Sequence, residues 1–184
     1  MSNPEIIQPK SKIDIIPIND LDTLRQLCLD NAYVTNNLSI KACPGLFMKE
    51  VGKALKKRPI NGVYGLEKLD PNTKESVAFC GFRIENEEML ISHTPQGKKP
   101  EKFSSSTVRN RFVRSNFRVE MMAVLIEMAK NLGLKRIIGY PAALFYEVDI
   151  GLISYEEAYK RMDALFQKMG FVFDEKRTVY CLTL

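Results

Sequence analysis

The stretch from Phe117 to Leu132 constrains the fold of this chain more than any other part of the sequence. Ser115 or Asn116 can cap its start, and Gly133 can end it at the position where helices favour a left-handed residue. A helix that is apolar almost all the way round is buried on more than one side, which leaves a homodimer open as one source of that burial. Its apolar positions are Val119, Met121, Met122, Val124, Leu125, Ile126, Met128, Ala129 and Leu132, and its polar stripe is Glu120, Glu127 and Asn131.

Around this helix the sequence predicts short apolar strands and amphipathic helices, separated by turns rich in Pro, Asn and Gly. Their order mixes antiparallel hairpins with one strand–helix–strand unit, whose two strands should be parallel and joined by a right-handed crossover. We therefore expect an α/β (α+β) fold with a mixed β-sheet flanked by about four helices. Strands are predicted at 12–18, 62–69, 76–85, 89–94, 107–113, 136–140, 171–173 and 178–184, and helices at 19–32, 46–57, 117–132 and 154–169.

The length of 184 residues favours a single domain, which we place at residues 12–184 after a flexible tail at 1–11. No run of about 18 apolar residues occurs, so we expect no membrane association. One histidine and four scattered cysteines predict no metal site and favour a reducing, cytoplasmic location. A net charge of +5 favours an anionic partner, such as a nucleotide-like cofactor or an acidic protein. A solvated basic surface explains the same charge, and nucleic acid is not the expected partner.

Three stretches resemble the GCN5-related N-acetyltransferase (GNAT) superfamily, in an order of elements that covers roughly residues 12–184. "RFVRSNFR", at 111–118, resembles the end of the family's fourth strand and its turn into the main helix. "LIEMAKNLGLKRI", at 125–137, resembles the rest of that helix and the start of the fifth strand. "ALFQKMGFVF", at 164–173, resembles the fourth helix running into the sixth strand. The resemblance implies an acyltransferase that moves an acetyl or other acyl group from acyl-coenzyme A to an amine, either a small molecule or a peptide.

The resemblance also implies where the coenzyme binds. In the family, the fourth and fifth strands splay apart, and the pantetheine arm pairs with the exposed backbone of the fourth strand, which would here be Arg111, Phe112 and Val113. The pyrophosphate lies on amides at the start of the next helix, where unpaired N–H groups and the helix dipole attract anions. The family's turn there is rich in glycine, whereas "VEMMA" follows Arg118 in this chain. Arg114, Ser115, Asn116 and Arg118 could compensate by charge and hydrogen bonding, or they could form only a basic surface.

A second departure from the family concerns the catalytic acid. Many members have a tyrosine, which protonates the leaving thiolate, at the position of Phe166. Phenylalanine cannot donate a proton, so Phe166 is retained only as a coenzyme contact. Tyr159 lies two helical turns earlier, about 10 Å away by the helix rise, and is the candidate acid if the site is displaced. Tyr155, Tyr159, Met162 and Phe166 share one helix face, and such a stripe is more often part of the core.

The general base is predicted from residues near the possible strand at 89–94. His93 is the candidate because a histidine side chain titrates near neutral pH. Glu85, Glu87 and Glu88 are alternatives, although they also suit a solvated turn. Direct transfer from a thioester to an amine depends mainly on positioning, so the lack of an evident acid leaves activity open.

Two other functions remain open from the sequence. Acyl-homoserine-lactone synthases share the fold, lack the glycine-rich turn and use an acidic acyl carrier protein, and "VRNRFVRSN" and "FCGFRI" faintly resemble two of their strands. Val108 stands where they have a glutamate. The third possibility is a GNAT-like fold that binds or regulates without catalysis. A nucleic-acid-binding version of it would use Lys98, Lys99, Lys102, Arg109, Arg111, Arg114 and Arg118.

Overall fold

The computed structural model describes residues 16, 18–42, 63–142 and 154–184. In chain order, the strands are β1 (Tyr33–Thr35), β2 (Leu38–Ala42), β3 (Val63–Leu69), β4 (Ser76–Glu85), β5 (Glu88–Gly97), β6 (Arg136–Gly139), β7 (Val172–Asp174) and β8 (Val179–Thr183). The helices are α1 (Leu21–Leu29), α2 (Ser106–Val113), α3 (Phe117–Asn131), α4 (Tyr155–Arg161) and α5 (Asp163–Lys168), with a 3-10 turn at Pro100–Lys102.

The strands form one eight-stranded sheet in the order β1-β2-β3-β4-β5-β6-β8-β7. Every neighbouring pair is antiparallel except β5 and β6, which are parallel. The connection between these two strands contains α2 and α3, because parallel strands need a long crossover. The fold is therefore mixed α+β with a mostly antiparallel sheet, which confirms the predicted fold class.

Helix α3 lies at the centre of the core, as its all-round apolar pattern predicts. It contacts β3, β5 and β6, and its side chains from Met121 to Leu125 are all buried. Gly133 follows the helix with φ of +67°, a left-handed conformation that glycine adopts without strain. The α3 core continues into α5, where Leu165 and Phe166 join the same hydrophobic cluster.

The hairpin of β3 and β4 was also predicted correctly, and its turn has an additional role. Asp70 ends β3 and accepts hydrogen bonds from the backbone N–H groups of Asn72 and Thr73 at 3.1 and 3.0 Å. The Arg111 guanidinium on α2 donates two further bonds to this carboxylate, at 2.9 and 2.8 Å. The turn is therefore tied to α2 by a buried carboxylate, and these bonds, with Arg111 first, hold the pKa of Asp70 well below its usual range.

The predicted strand at 107–113 is wrong, because these residues form α2. Ser105 caps this helix by accepting a hydrogen bond from the Val108 N–H at 3.2 Å. Val108 and Phe112 are four residues apart, which places them on one face of a helix as readily as their spacing suggested a strand. Val108 is buried there, whereas Val113 is exposed.

Other predictions differ in extent. The strand at 89–94 is longer and runs as β5 to Gly97, and the hairpin of β1 and β2 was not predicted. The helix at 154–169 is divided at Met162 into α4 and α5. The tail at 1–11, the helix at 46–57 and nearly all of the strand at 12–18 lie outside the described residues.

Candidate functional site

The parallel pair of β5 and β6 separates part-way along β5. The two strands pair over four positions, from Glu88 opposite Arg136 to Ile91 opposite Gly139. Beyond Ile91, β5 continues to Gly97 and remains paired with β4 on its other side. In the described part of the chain, no strand pairs with the β6-facing edge of residues 92–97. We call this opening the strand gap.

Two bulges distort β5 where it borders the strand gap. Phe82 pairs with Ile91 and Gly81 with His93, so Ser92 is an extra residue on β5. Phe79 pairs with Gln96, so the two residues Thr94 and Pro95 face the single residue Cys80. Bulges bend a strand and increase its twist. Pro95 has no N–H group to donate. Because it lies in the second bulge, its presence costs the β4–β5 ladder no regular hydrogen bond.

The closed end of the pair is held by charge. Glu88, at the start of β5, accepts from Arg177 at 3.1 and 3.3 Å and forms an ion pair with Arg136 at 2.5 Å. Arg177 first, and Arg136 after it, lower the pKa of the Glu88 carboxyl group. This cluster links β5, β6 and the turn between β7 and β8. The strands are therefore tied together at one end and separate at the other.

Phe166 lies at the fork of the strand gap, against Gly139. A Cβ atom on Gly139 would lie 2.1 Å from the Phe166 ζ carbon, so the ring occupies the space that any other side chain there would need. The ring also packs on Phe171 and Tyr180, with centroids 5.0 and 5.5 Å apart. The structure thus places Phe166 at the fork, and its predicted coenzyme contact remains a proposal.

A cluster of polar side chains lies beside Phe166, and we call it the phenol cluster: Tyr159, Asp163, Gln167 and Tyr180. The Gln167 amide donates to the Tyr180 hydroxyl at 3.1 Å and lies 3.5 Å from the Tyr159 hydroxyl. Asp163 is buried and accepts a hydrogen bond from the Ala142 N–H at 2.9 Å. Burial, together with the nearby Asp163 carboxylate as hydrogen-bond partner and charge, raises the pKa of Tyr180 to about 12.

His93 lies on the other face of the sheet. Paired residues share a face and successive residues alternate, so the pairing of Gly81 with His93 and Phe82 with Ile91 places His93 opposite the Ile91 face. Its Nδ1 atom lies 3.2 Å from Ser92 Oγ, and its ring meets Phe79 edge-on. His93 and Tyr159, the predicted base and acid, are therefore not brought together on one face.

The alternative bases are engaged in ion pairs. Glu85 pairs with Arg83 at 3.3 Å, and Glu87 pairs with Lys135. Glu88 belongs to the charged cluster at the closed end of the strand pair. The Glu87 and Glu88 pairs join the start of β5 to residues at and before β6, whereas the Glu85 pair lies within β4.

The residues predicted to bind coenzyme A lie on α2 and around the start of α3. Because Arg111, Phe112 and Val113 are helical, their backbone cannot present a strand edge to a pantetheine arm, and that part of the prediction is wrong. Arg111 is paired with Asp70, as described for the fold. The Phe112 ring packs between Phe103 and Phe117, with centroids 5.4 and 4.6 Å away.

The other four predicted contacts surround the beginning of α3. The Ser115 hydroxyl donates to the Phe112 carbonyl at 2.7 Å, and the Asn116 side chain makes no capping bond. Arg114 is exposed, and the Arg118 guanidinium lies over the Phe117 ring at 5.4 Å. No contact of these residues with a ligand is tested by the structure, so their role stays a proposal.

The sequence reasoning missed that β5, rather than residues 107–113, borders the strand gap. Pro95, directly after the predicted strand at 89–94, was the available signal, because a proline inside a strand indicates an edge or a bulge. Tyr180 and Asp163 were also missed, because their proximity depends on the register of β8 and on the break at Met162. Within the described residues, no helix could cross a membrane, and no group of three metal-ligating side chains is found.

The comparisons with known proteins add little to this geometry. No protein-family model matches the chain, and no curated protein matches it in sequence. Among solved structures, the chain is similar to the crystal structure of Tetrahymena GCN5, with 11% identity and a TM-score of 0.40, over 67% of this chain and 69% of that one. At that level the likeness does not assign a function, and the proposals below depend on the geometry of the site.

Proposed function

We propose that this protein is an acyltransferase that takes an acetyl or other acyl group from acyl-coenzyme A and transfers it to an amine. The observation that carries the proposal is the strand gap: the parallel pair of β5 and β6, the one such pair among the described strands, separates after four positions beside a doubly bulged strand. This is the place where the superfamily resembled by the sequence holds its coenzyme. The site is proposed at β5, and not at the residues 111–113 that the sequence suggested.

Residues 92–97 of β5 offer the chemistry that a pantetheine arm requires. That arm is a chain with two amides, and an extended amide chain can add to an open strand edge by main-chain hydrogen bonding. Each such bond contributes about 0.5–1.5 kcal/mol net. Because β4 holds the other edge of β5, the open edge is fixed in position before the ligand arrives. The gap between β5 and β6 would then direct the thioester toward the fork at Gly139 and Phe166.

The pyrophosphate is proposed to lie at the start of α3. Asn116 leaves the first N–H groups of α3 without a side-chain cap, and Arg114 and Arg118 add positive charge nearby. These groups could hold an anion without a glycine-rich turn. In this proposal the amine attacks the thioester carbonyl directly, and the rate enhancement comes mainly from holding the two reactants together.

The test is the thermal stability of the purified protein, titrated with acetyl-coenzyme A and with longer acyl-coenzyme A. At about 100 times its dissociation constant, a ligand should stabilise the fold by about 2.7 kcal/mol. The stabilisation should be lost in the double variant Arg114→Ala with Arg118→Ala. The matched control is Lys102→Ala with Arg109→Ala, which removes two exposed charges elsewhere and should retain the shift.

An absence of any shift at millimolar acyl-coenzyme A would contradict the proposal. The same titration with an acylated carrier protein would then decide between the two remaining functions. A shift with the carrier protein alone would identify it as the donor. No shift with either donor would leave a binding or regulatory protein without catalysis.

A further inference from the structure

The phenol cluster places an ionisable pair where the superfamily's usual acid is missing. Tyr180 pairs with Gly139 in the β6–β8 ladder, and Gly139 pairs with Ile91, the last paired position before the strand gap. Paired residues share a face, so the Tyr180 ring lies on the same face as Phe166, and the two ring centroids are 5.5 Å apart. The phenol nearest to Phe166 among the described contacts therefore comes from β8, and the exposed Tyr159 lies farther out along α4.

We propose that Tyr180 and Asp163 carry the proton during acyl transfer, in place of the tyrosine that Phe166 replaces. The inference rests on the proposed function, because it assigns a role within that reaction. Tyr180 would be the catalytic residue that contacts the reacting groups. Asp163 acts through Tyr180 and exchanges protons with it.

The surroundings of the two side chains suit a relay. Gln167 donates to the Tyr180 oxygen at 3.1 Å, so the phenol proton is left for an acceptor. Asp163 lies one helical turn before Gln167 on the same face of α5, which places its carboxylate beside the phenol. Asp163 is fixed by the Ala142 N–H, just after β6, at 2.9 Å. A full phenolate beside this carboxylate would be costly, which the raised pKa of Tyr180 expresses. A relay avoids forming the phenolate, because the phenol passes its own proton to Asp163 while it accepts a proton from the amine.

The proposed step balances without any further reagent. The amine nitrogen forms a bond to the thioester carbonyl carbon, and an N–H proton passes to the Tyr180 oxygen while the Tyr180 proton passes to Asp163. The C–S bond then breaks, and the thiolate leaves with its electron pair. The proton returns from Asp163 through Tyr180 to the thiolate, which is a much stronger base than a carboxylate. The products are an amide and a free thiol, and both residues end in their starting states.

The experiment measures release of the coenzyme A thiol from acetyl-coenzyme A, with a mixture of small primary amines and a lysine-containing peptide as acceptors. Acetyl-coenzyme A affinity is measured separately by calorimetry. Tyr180→Phe should lower the turnover rate about 100-fold, within the usual range for general acid–base catalysis, while the affinity is unchanged. Tyr155→Phe is the matched control, because it removes an exposed tyrosine hydroxyl one turn earlier on α4 and should retain wild-type turnover.

A second pair of variants separates the relay from a structural role. Residues that act as one unit are strongly non-additive, so Tyr180→Phe with Asp163→Asn should lose no more turnover than Tyr180→Phe alone. Multiplicative losses in the double variant would overturn the relay. Wild-type turnover in Tyr180→Phe would do the same, as would a protein that binds acetyl-coenzyme A and releases no thiol. A protein that does not bind acetyl-coenzyme A would remove the proposed function and the relay together.

Discussion

Gly139 and Phe166 show how a missing side chain at one position fixes the identity of another residue. The space above Gly139 is filled by the Phe166 ring, and the ring's ζ carbon is the atom closest to where a Cβ would stand. Tyrosine carries its hydroxyl on that same ζ carbon. The close contact therefore gives a physical reason why the phenol of this site belongs to Tyr180 and not to residue 166.

Gly139→Ala should destabilise the protein by about 1–3 kcal/mol, because the added methyl group overpacks the ring of Phe166. The measurement is the free energy of unfolding from urea denaturation. The same substitution in a Phe166→Leu background should destabilise less. Gly133→Ala is the control: its cost comes from the left-handed backbone and should be equal in both backgrounds. Equal costs of Gly139→Ala in the two backgrounds would contradict the contact.

Phe166→Tyr should also destabilise by about 1–3 kcal/mol, through overpacking and a buried hydroxyl. It should not raise turnover, even though it introduces the tyrosine that the resemblance in sequence leads one to expect at this position. Unfolding in urea and thiol release from acetyl-coenzyme A measure the two effects. A stable Phe166→Tyr variant with faster turnover would show that the ring can move away from Gly139.

At the scale of elements, the strand gap depends on the charged cluster that holds its closed end. Glu88 joins the first residue of β5 to Arg136 on β6 and to Arg177 before β8. The carboxylate is mostly buried and accepts from two cations, so its removal leaves both cations without that partner. The strand β6 has only four residues, so the ladders that hold it between β5 and β8 extend over four positions on each side.

Glu88→Gln should reduce stability by about 1–3 kcal/mol, the range for hydrogen bonds to charged groups. The substitution should accelerate amide hydrogen exchange more in β6 and β8 than in the β3–β4 hairpin. The reason is that the lost bonds tie β5 to β6 and to the turn before β8. Glu87→Gln is the control, since its ion pair with Lys135 is exposed and such pairs contribute little. Uniformly faster exchange across the sheet would argue against a local function of the cluster.

The elements themselves were predictable where their signals are local. Helix α3 was found because its apolar circumference and Gly133 lie within one stretch, and the β3–β4 hairpin was found because its turn carries Pro71 and Asn72. Helix α2 was not, because Val108 and Phe112 fit either period over seven residues. The split of the last helix lies at Met162, next to Asp163, whose bond to the Ala142 N–H is a tertiary contact that no local pattern records.

At the scale of the whole molecule, stability should depend on pH through carboxylates that accept hydrogen bonds in the folded state. The carboxyl pKa values of Asp20, Asp70, Glu75 and Glu88 are all lowered, each first by a hydrogen bond to a partner. A lowered folded-state pKa contributes stability above the unfolded value, about 4, and that contribution is lost as pH falls through the folded value. The protein should therefore become less stable below about pH 4–5.

Arg111→Gln should flatten this acid dependence, because Arg111 is the first cause of the low pKa of Asp70. The free energy of unfolding, measured from pH 2 to 7, should fall less steeply in the variant and start from a lower value at pH 7. Arg109→Gln, on the exposed side of the same helix, should leave the profile unchanged. Identical profiles for Arg111→Gln and wild type would contradict the bond between the turn and α2.

The basic character of the molecule is partly internal. Lys98 pairs with Glu75 and Arg111 with Asp70, so two cations of the predicted basic run hold the fold together. Lys68, outside that run, pairs with Glu120. Charge counted along the sequence does not distinguish these paired cations from exposed ones. The residues that surround the candidate site are likewise brought together by tertiary structure and not by their spacing in the sequence. Phe166 was predicted as a coenzyme contact, which stays a prediction, whereas its neighbours Gly139 and Tyr180 could not be identified because they depend on strand register. A homodimer, a cytoplasmic location and the absence of nucleic-acid binding stay predictions.

The two bulges of β5 make the length of this strand critical as well as its composition. Deleting Ser92 would remove the first bulge while His93 stays paired with Gly81 on its present face, so β5 would bend less where it borders the strand gap. A deletion of one codon would thus change the course of this strand edge, which most substitutions would leave in place. In a laboratory search for new acceptors or donors, libraries that vary the number of residues between Ile91 and Gln96 would reach surfaces that point mutations leave untouched.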